Sequence, residues 1–104
     1  MKKIINGTRY DTDKSTLIGY DTNGLATNDF SYWWAGLYTT PRSGKYFLCG
    51  EGGPMSRYGT VSGDNRGSGE RLEPMSKEDA LGWAEDHLDA DEIEKYFGDM
   101  IEDA

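Results

Sequence analysis

Cysteine and histidine are nearly missing from this 104-residue chain, which holds one of each, Cys49 and His87. A single cysteine excludes a disulfide framework within the chain. One Cys with one His also falls short of the four ligands that a structural zinc site takes. Long apolar runs are missing too. The longest mostly apolar stretch, Tyr32 to Tyr38, is far below the roughly 20 residues of a membrane-spanning helix. Lys2 and Lys3 are followed only by Ile4 and Ile5 before Asn6 and Gly7, too little for a secretory leader. No membrane association is expected, and a reducing cytoplasm is the expected compartment. Positive charge is scarce, with 11 Lys and Arg against 19 Asp and Glu, a net charge of -8. A nucleic-acid binder carries a basic patch that displaces counterions from phosphate, so direct DNA or RNA binding is disfavoured.

What is present is aromatic, glycine-rich and unevenly charged. Hydrophobic residues make up 36% of the chain and aromatics 12%, with a mean hydropathy of -0.77. The core must be small, yet disordered chains are poor in large rings, so a folded single domain over residues 1–104 is the expectation. Residues 1–75 hold nine basic and eight acidic side chains, a balance of +1. Residues 76–104 hold two and eleven, a balance of -9. Such an anionic end is either an ordinary solvated face or a surface that attracts a basic partner.

The pattern along the chain predicts an α+β fold. Lys3–Ile5 and Thr8–Tyr10 flank Asn6-Gly7, the signature of a type I′ hairpin. A short helix is expected through Ser15-Thr16-Leu17-Ile18, capped by Thr12 or Asp13 and ended by Gly19. The segment Phe30–Thr40 is aromatic and β-branched, and it turns at Pro41–Gly44 into Lys45–Gly50, predicting a central aromatic hairpin. Ser56–Tyr58 reads as an extended piece, Gly63–Gly69 as a mobile loop and Glu70–Glu73 as an edge strand before Pro74. Ser76 then caps a helix over residues 77–88 with Leu81, Ala84 and Leu88 on one face. Asp89, with Glu92 three residues on, caps a second whose Ile93, Tyr96, Phe97, Met100 and Ile101 pack on the sheet. Its other face carries Asp91, Glu94, Asp99, Glu102 and Asp103. The expected architecture is a small antiparallel sheet packed by two C-terminal helices.

Catalytic chemistry finds few residues to work with. Nucleophilic catalysis needs a histidine held on its nucleophile, and His87 is set among Glu85, Asp86 and Asp89 on an acidic helix. Cys49 lies in a strand among aromatics, where a small buried hydrophobe is expected rather than a thiolate. Glu51, in Gly50-Glu51-Gly52-Gly53, is the best lone acid for glycoside chemistry, but the sequence designates no second one. Asp11–Ser15 opens like a calcium loop, with Thr16 in place of the needed Gly and Thr22 in place of the bidentate Glu. No glycine-rich stretch matches a phosphate-cradling motif. No metal, cofactor or catalytic residue is implied.

The succession Ile5-Asn6-Gly7 with Tyr10-Asp11-Thr12, Gly44-Lys45-Tyr46-Phe47-Leu48 into Gly50-Glu51-Gly52-Gly53 and Tyr58, then Trp83-Ala84-Glu85 and Ile93–Gly98, resembles small acidic proteins of phages and mobile elements in Gram-positive bacteria. Some of that group are anti-CRISPR or other anti-defence inhibitors. The resemblance implies a non-enzymatic inhibitor in the cytoplasm of a bacterial host, with a CRISPR-Cas effector or another basic nucleic-acid-binding protein as partner. Carboxylates three and four residues apart on a helix stand about 5–6 Å apart, a spacing that meets Arg and Lys groups placed for phosphates. Asp86, Asp91, Glu94, Asp99, Glu102 and Asp103 are the candidate contacts. A second reading is a phage or plasmid interaction module that grips a protein through its aromatic sheet face, where Trp33 and Trp34 must point opposite ways, and through the loop from Gly50 to Tyr58. A third is a ligand sponge or enzyme using Glu51, Arg57 and Arg66.

Overall fold

In the computed structural model, which describes residues 1–104, the chain opens with the expected hairpin: β1 (Lys2–Ile5) and β2 (Thr8–Asp11) pair antiparallel. Asn6 and Gly7 take φ of 50° and 77°, the two positive angles that a type I′ turn requires. The helix expected next is not formed. A single 3-10 turn, Thr12–Lys14, is capped by the Asp11 side chain, and the chain then extends as β3 (Thr16–Thr22). The capping signal is spent on that one turn, and Thr16 and Ile18 keep the β preference of branched side chains.

β4 (Trp33–Thr39) and β5 (Tyr46–Gly52) form the central hairpin, and β8 (Gly69–Met75) completes a four-stranded antiparallel sheet in the order β3-β4-β5-β8. The register shifts between Leu17 and Gly19, placing a bulge in β3, and Pro74 sits in the other outer strand. Two expectations between β5 and β8 fail. Ser56–Tyr58 is turn rather than extended chain, and Gly63–Gly69 is not a structureless loop. β6 (Thr60–Ser62) and β7 (Asn65–Gly67) make a hairpin around Gly63-Asp64, with Gly63 at φ 62°. Glycine at the first central position is what a type II′ turn takes.

The C-terminal helices follow their caps. Ser76 accepts from the Asp79 amide at the start of α1 (Lys77–His87), and Asp89 accepts from the Glu92 amide at the start of α2 (Ala90–Phe97). The chain then tightens into a 3-10 turn over Gly98–Met100. Three layers result. Ile18, Ala35, Leu37 and Leu48 on one sheet face pack against Ala80, Ala84 and Phe97 of the helices. Tyr10 of the first hairpin packs on Phe47, Cys49 and Leu72 of the other face. Ala80 and Ala84, rather than Leu81 and Leu88, are the fully buried residues of α1. Their small size brings the helix close to the sheet, with Leu81, Trp83 and Leu88 wedged at its sides. Phe97 is fully buried and stacks on Tyr46 at 5.5 Å, whereas Ile101, past the last turn, is exposed rather than packed on the sheet.

Candidate functional site

The helices lie on one sheet face and turn their carboxylates outward. Of the eleven acidic residues after residue 75, all but the half-buried Glu92 are exposed. The expectation that one face of the second helix carries Asp91, Glu94, Asp99, Glu102 and Asp103 needs correcting, however. Asp86 is on α1, while Asp91 and Glu94 are on α2. Asp99 lies in the terminal 3-10 turn, and Glu102 and Asp103 come after it. Gly98 starts a tighter turn, and Ile101 leaves it in an extended conformation, so the acidic stripe is not prolonged beyond Phe97 as helix. Asp99 is already engaged. Its Oδ2 accepts from Lys77 Nζ at 2.7 Å, a bond that holds the Asp99 carboxyl below its usual range and the Lys77 ammonium above its own. Lys95, its side chain over the Tyr96 ring at 5.4 Å, is the remaining cation of the region.

What the helices build together is a cleft of about 340 Å³ between α1, α2 and the chain after them. Leu81, Ile93, Met100 and Ile101 floor it, and Glu85, Glu94 and Glu102 stand around it. Of the six carboxylates that the sequence nominates, the cleft gathers Glu94 and Glu102, leaving Asp86, Asp91, Asp99 and Asp103 outside. Glu85 joins them without being nominated. It precedes the Asp89 cap, and only the angle between two helices brings it opposite Glu94.

The remaining candidates are dispersed. Trp33 faces the helices and meets His87 edge-on at 6.3 Å, while Trp34 faces the opposite way and stacks with Tyr20 at 5.9 Å. Both are half-buried. His87 is not directed at its acidic sequence neighbours. Its Nδ1 lies 2.8 Å from Asp21 Oδ2 and its ring stacks on Trp83 at 4.4 Å, tying the end of α1 to β3. Arg57 and Arg71 lie over the Tyr58 ring at 5.3 and 5.6 Å, on the side of the sheet away from Glu51. Arg66 reaches the Met55 sulfur from the outlying β6–β7 hairpin. Glu51, Arg57 and Arg66 are therefore not brought together. Glu51 instead faces Glu70 across β5 and β8, a pairing the sequence does not signal because a turn-rich hairpin separates the two strands.

Cys49 is buried in the second face of the sheet, its Sγ 3.9 Å from the Met1 sulfur. Burial pushes its thiol up to about 11. The neutral form is favoured until strongly alkaline pH, so at pH 8 Cys49 should carry about a hundredfold less thiolate than an unperturbed thiol. Its reaction with an aromatic disulfide reagent should be slowed accordingly and recover in denaturant. Equal rates in native and denatured protein would refute the inert, buried assignment.

No helix is long and apolar enough to cross a membrane. Comparison with protein-family models, curated proteins and solved structures finds no match to this chain.

Proposed function

We propose that the chain is a non-enzymatic binding protein whose acidic helical layer docks on the basic nucleic-acid-binding surface of a protein partner and blocks access of target DNA or guide. A CRISPR-Cas effector is the partner implied by the sequence resemblance. The cleft between α1 and α2 is the observation that carries this reading. Its apolar floor accepts the methylene stems of Lys and Arg, while Glu85, Glu94 and Glu102 stand where their charged ends would emerge. The surrounding exposed carboxylates, from Glu78 and Asp79 to Asp103, add an anionic field that steers a basic surface toward the cleft. Effectors of the Cas9 type read the short motif beside their target with arginines, and such a surface is one that an anionic layer would occupy.

The test is capture of purified effector complexes, with and without guide RNA, alongside a target-DNA binding assay. The wild-type chain should hold the effector at about one copy each and abolish DNA binding. The triple variant E85Q/E94Q/E102Q should bind at least tenfold more weakly, with a shallower dependence on salt. Failure to capture any effector, or equal affinity of the triple variant, overturns the proposal. Inhibition far below one copy per effector would point to turnover instead. A competing reading, a module that grips protein through its aromatic sheet face, is favoured by the uncovered half of that face around Trp34. Binding of that kind would persist at high salt.

A further inference from the structure

The first hairpin covers only part of the sheet face opposite the helices. The uncovered part is a groove of two adjoining hollows, about 370 and 410 Å³, which share Tyr32, Glu51 and Glu70. Strand register sets its floor. Trp34 on β4 opposes Glu51 on β5, and Glu51 opposes Glu70 on β8, so one row across three strands runs indole, carboxylate, carboxylate. Facing residues of an antiparallel pair have Cβ atoms about 4.5–5.5 Å apart, where like charges repel.

No cationic side chain of the protein is paired with either carboxylate. No Lys or Arg lines either hollow. The Met1 ammonium at the rim donates to Thr12 Oγ1 at 2.8 Å. The Tyr32 hydroxyl donates to Glu51 Oε1 at 3.3 Å and orients that carboxylate. Burial, followed by the charge of Glu51, holds the Tyr32 phenol above its usual range, so it stays a donor at neutral pH.

We propose that this groove binds the guanidinium of an arginine side chain presented by a protein partner. A planar guanidinium stacks on an aromatic face and forks onto carboxylates, which suits a Trp beside two acids better than the compact ammonium of lysine does. The second hollow is lined by Thr27, Gly52, Ser68 and Gly69, small or polar residues that leave room for the flanking peptide backbone. This site is on the opposite side of the sheet from the helical cleft and does not depend on what that cleft binds.

The test is a titration of the intact chain with a blocked Gly-Arg-Gly peptide, followed by the indole N–H signals and backbone amides in NMR spectra. The Trp34 indole and the amides of Glu51 and Glu70 should shift saturably at or below about 1 mM peptide. The citrulline peptide, equal in shape and uncharged, should bind at least tenfold more weakly. E51Q/E70Q should lose the same factor while melting no lower than wild type, since its change removes a repulsion. E85Q/E94Q/E102Q should leave the titration unchanged. Equal binding of the citrulline peptide, undiminished binding by E51Q/E70Q, or no saturable shift at about 10 mM overturns the site. A lysine peptide that binds as well overturns the guanidinium assignment. Blocked arginine alone binding as tightly as the tripeptide replaces the protein partner with a small ligand.

Discussion

Replacing Phe97 with alanine is expected to cost about 3–5 kcal/mol, a large part of the 5–15 kcal/mol that holds a domain of this kind together. Phe97 is fully buried and is the only buried side chain of α2. Its ring fills the space between Ile18, Leu37, Leu48 and the two small helix residues Ala80 and Ala84, and it stacks on Tyr46 at 5.5 Å. Truncation leaves a cavity that the packed neighbours fill only in part. The thermal midpoint should fall by on the order of 20 °C. Hydrogen exchange should show α2 losing protection before the sheet does, because little else buried fastens it. The partner capture proposed for the helical cleft should weaken in step, since the cleft is formed in part by α2. A melting curve within a few degrees of wild type would mean that α2 is held by its half-buried residues Ile93, Tyr96 and Met100 instead.

The second large effect is a pair of opposite signs from one chemical change. A methyl group added at Gly50 would overlap the Tyr58 ring, which packs against β5 with only 5% of its surface exposed. Tyr58 must then swing out and give up its contacts with Arg57 and Arg71. Gly50→Ala should therefore destabilise by about 3 kcal/mol, at the upper end of overpacking costs. At Gly82, midway along α1, an added methyl meets nothing within 4 Å. Gly82→Ala should stabilise by roughly 0.5–1 kcal/mol through the lower backbone entropy of the unfolded chain. Denaturant titration of both variants decides it, and equal shifts would show that Tyr58 does not press on Gly50.

Local signals and long-range ones differ in how far the sequence alone reveals them. Asn6-Gly7, Ser76 and Asp89 act through atoms two or three residues away, so their turn and caps are legible, as is the aromatic hairpin β4–β5. Thr16–Ile18 misleads because a capping signal and a short apolar run fit one helical turn as well as a strand. Only pairing with β4 selects the strand. The β6–β7 hairpin stays hidden because its six strand residues hold one apolar side chain, Val61, too few to show an alternation, leaving Gly63 as its sole mark. The candidate site is legible as charge but not as shape. The surplus of carboxylates after residue 75 is plain, whereas the placing of Glu85 and Glu94 on one cleft depends on how the two helices pack. The facing of Glu51 and Glu70 depends on a register set across an intervening hairpin.

The bulge in β3 and Pro74 in β8 decide how other chains can approach. An outer strand with free amides and carbonyls is a template on which another chain can add, whether as a bound peptide or as the start of an aggregate. Here one outer strand is twisted out of register at Leu17 and Gly19, and the other has a proline with no N–H to offer, beside Arg71 and Glu73. With a bulge in one border of the sheet and a proline in the other, both are poor templates for a further strand, which favours approach through side chains on the faces over lengthening of the ladder.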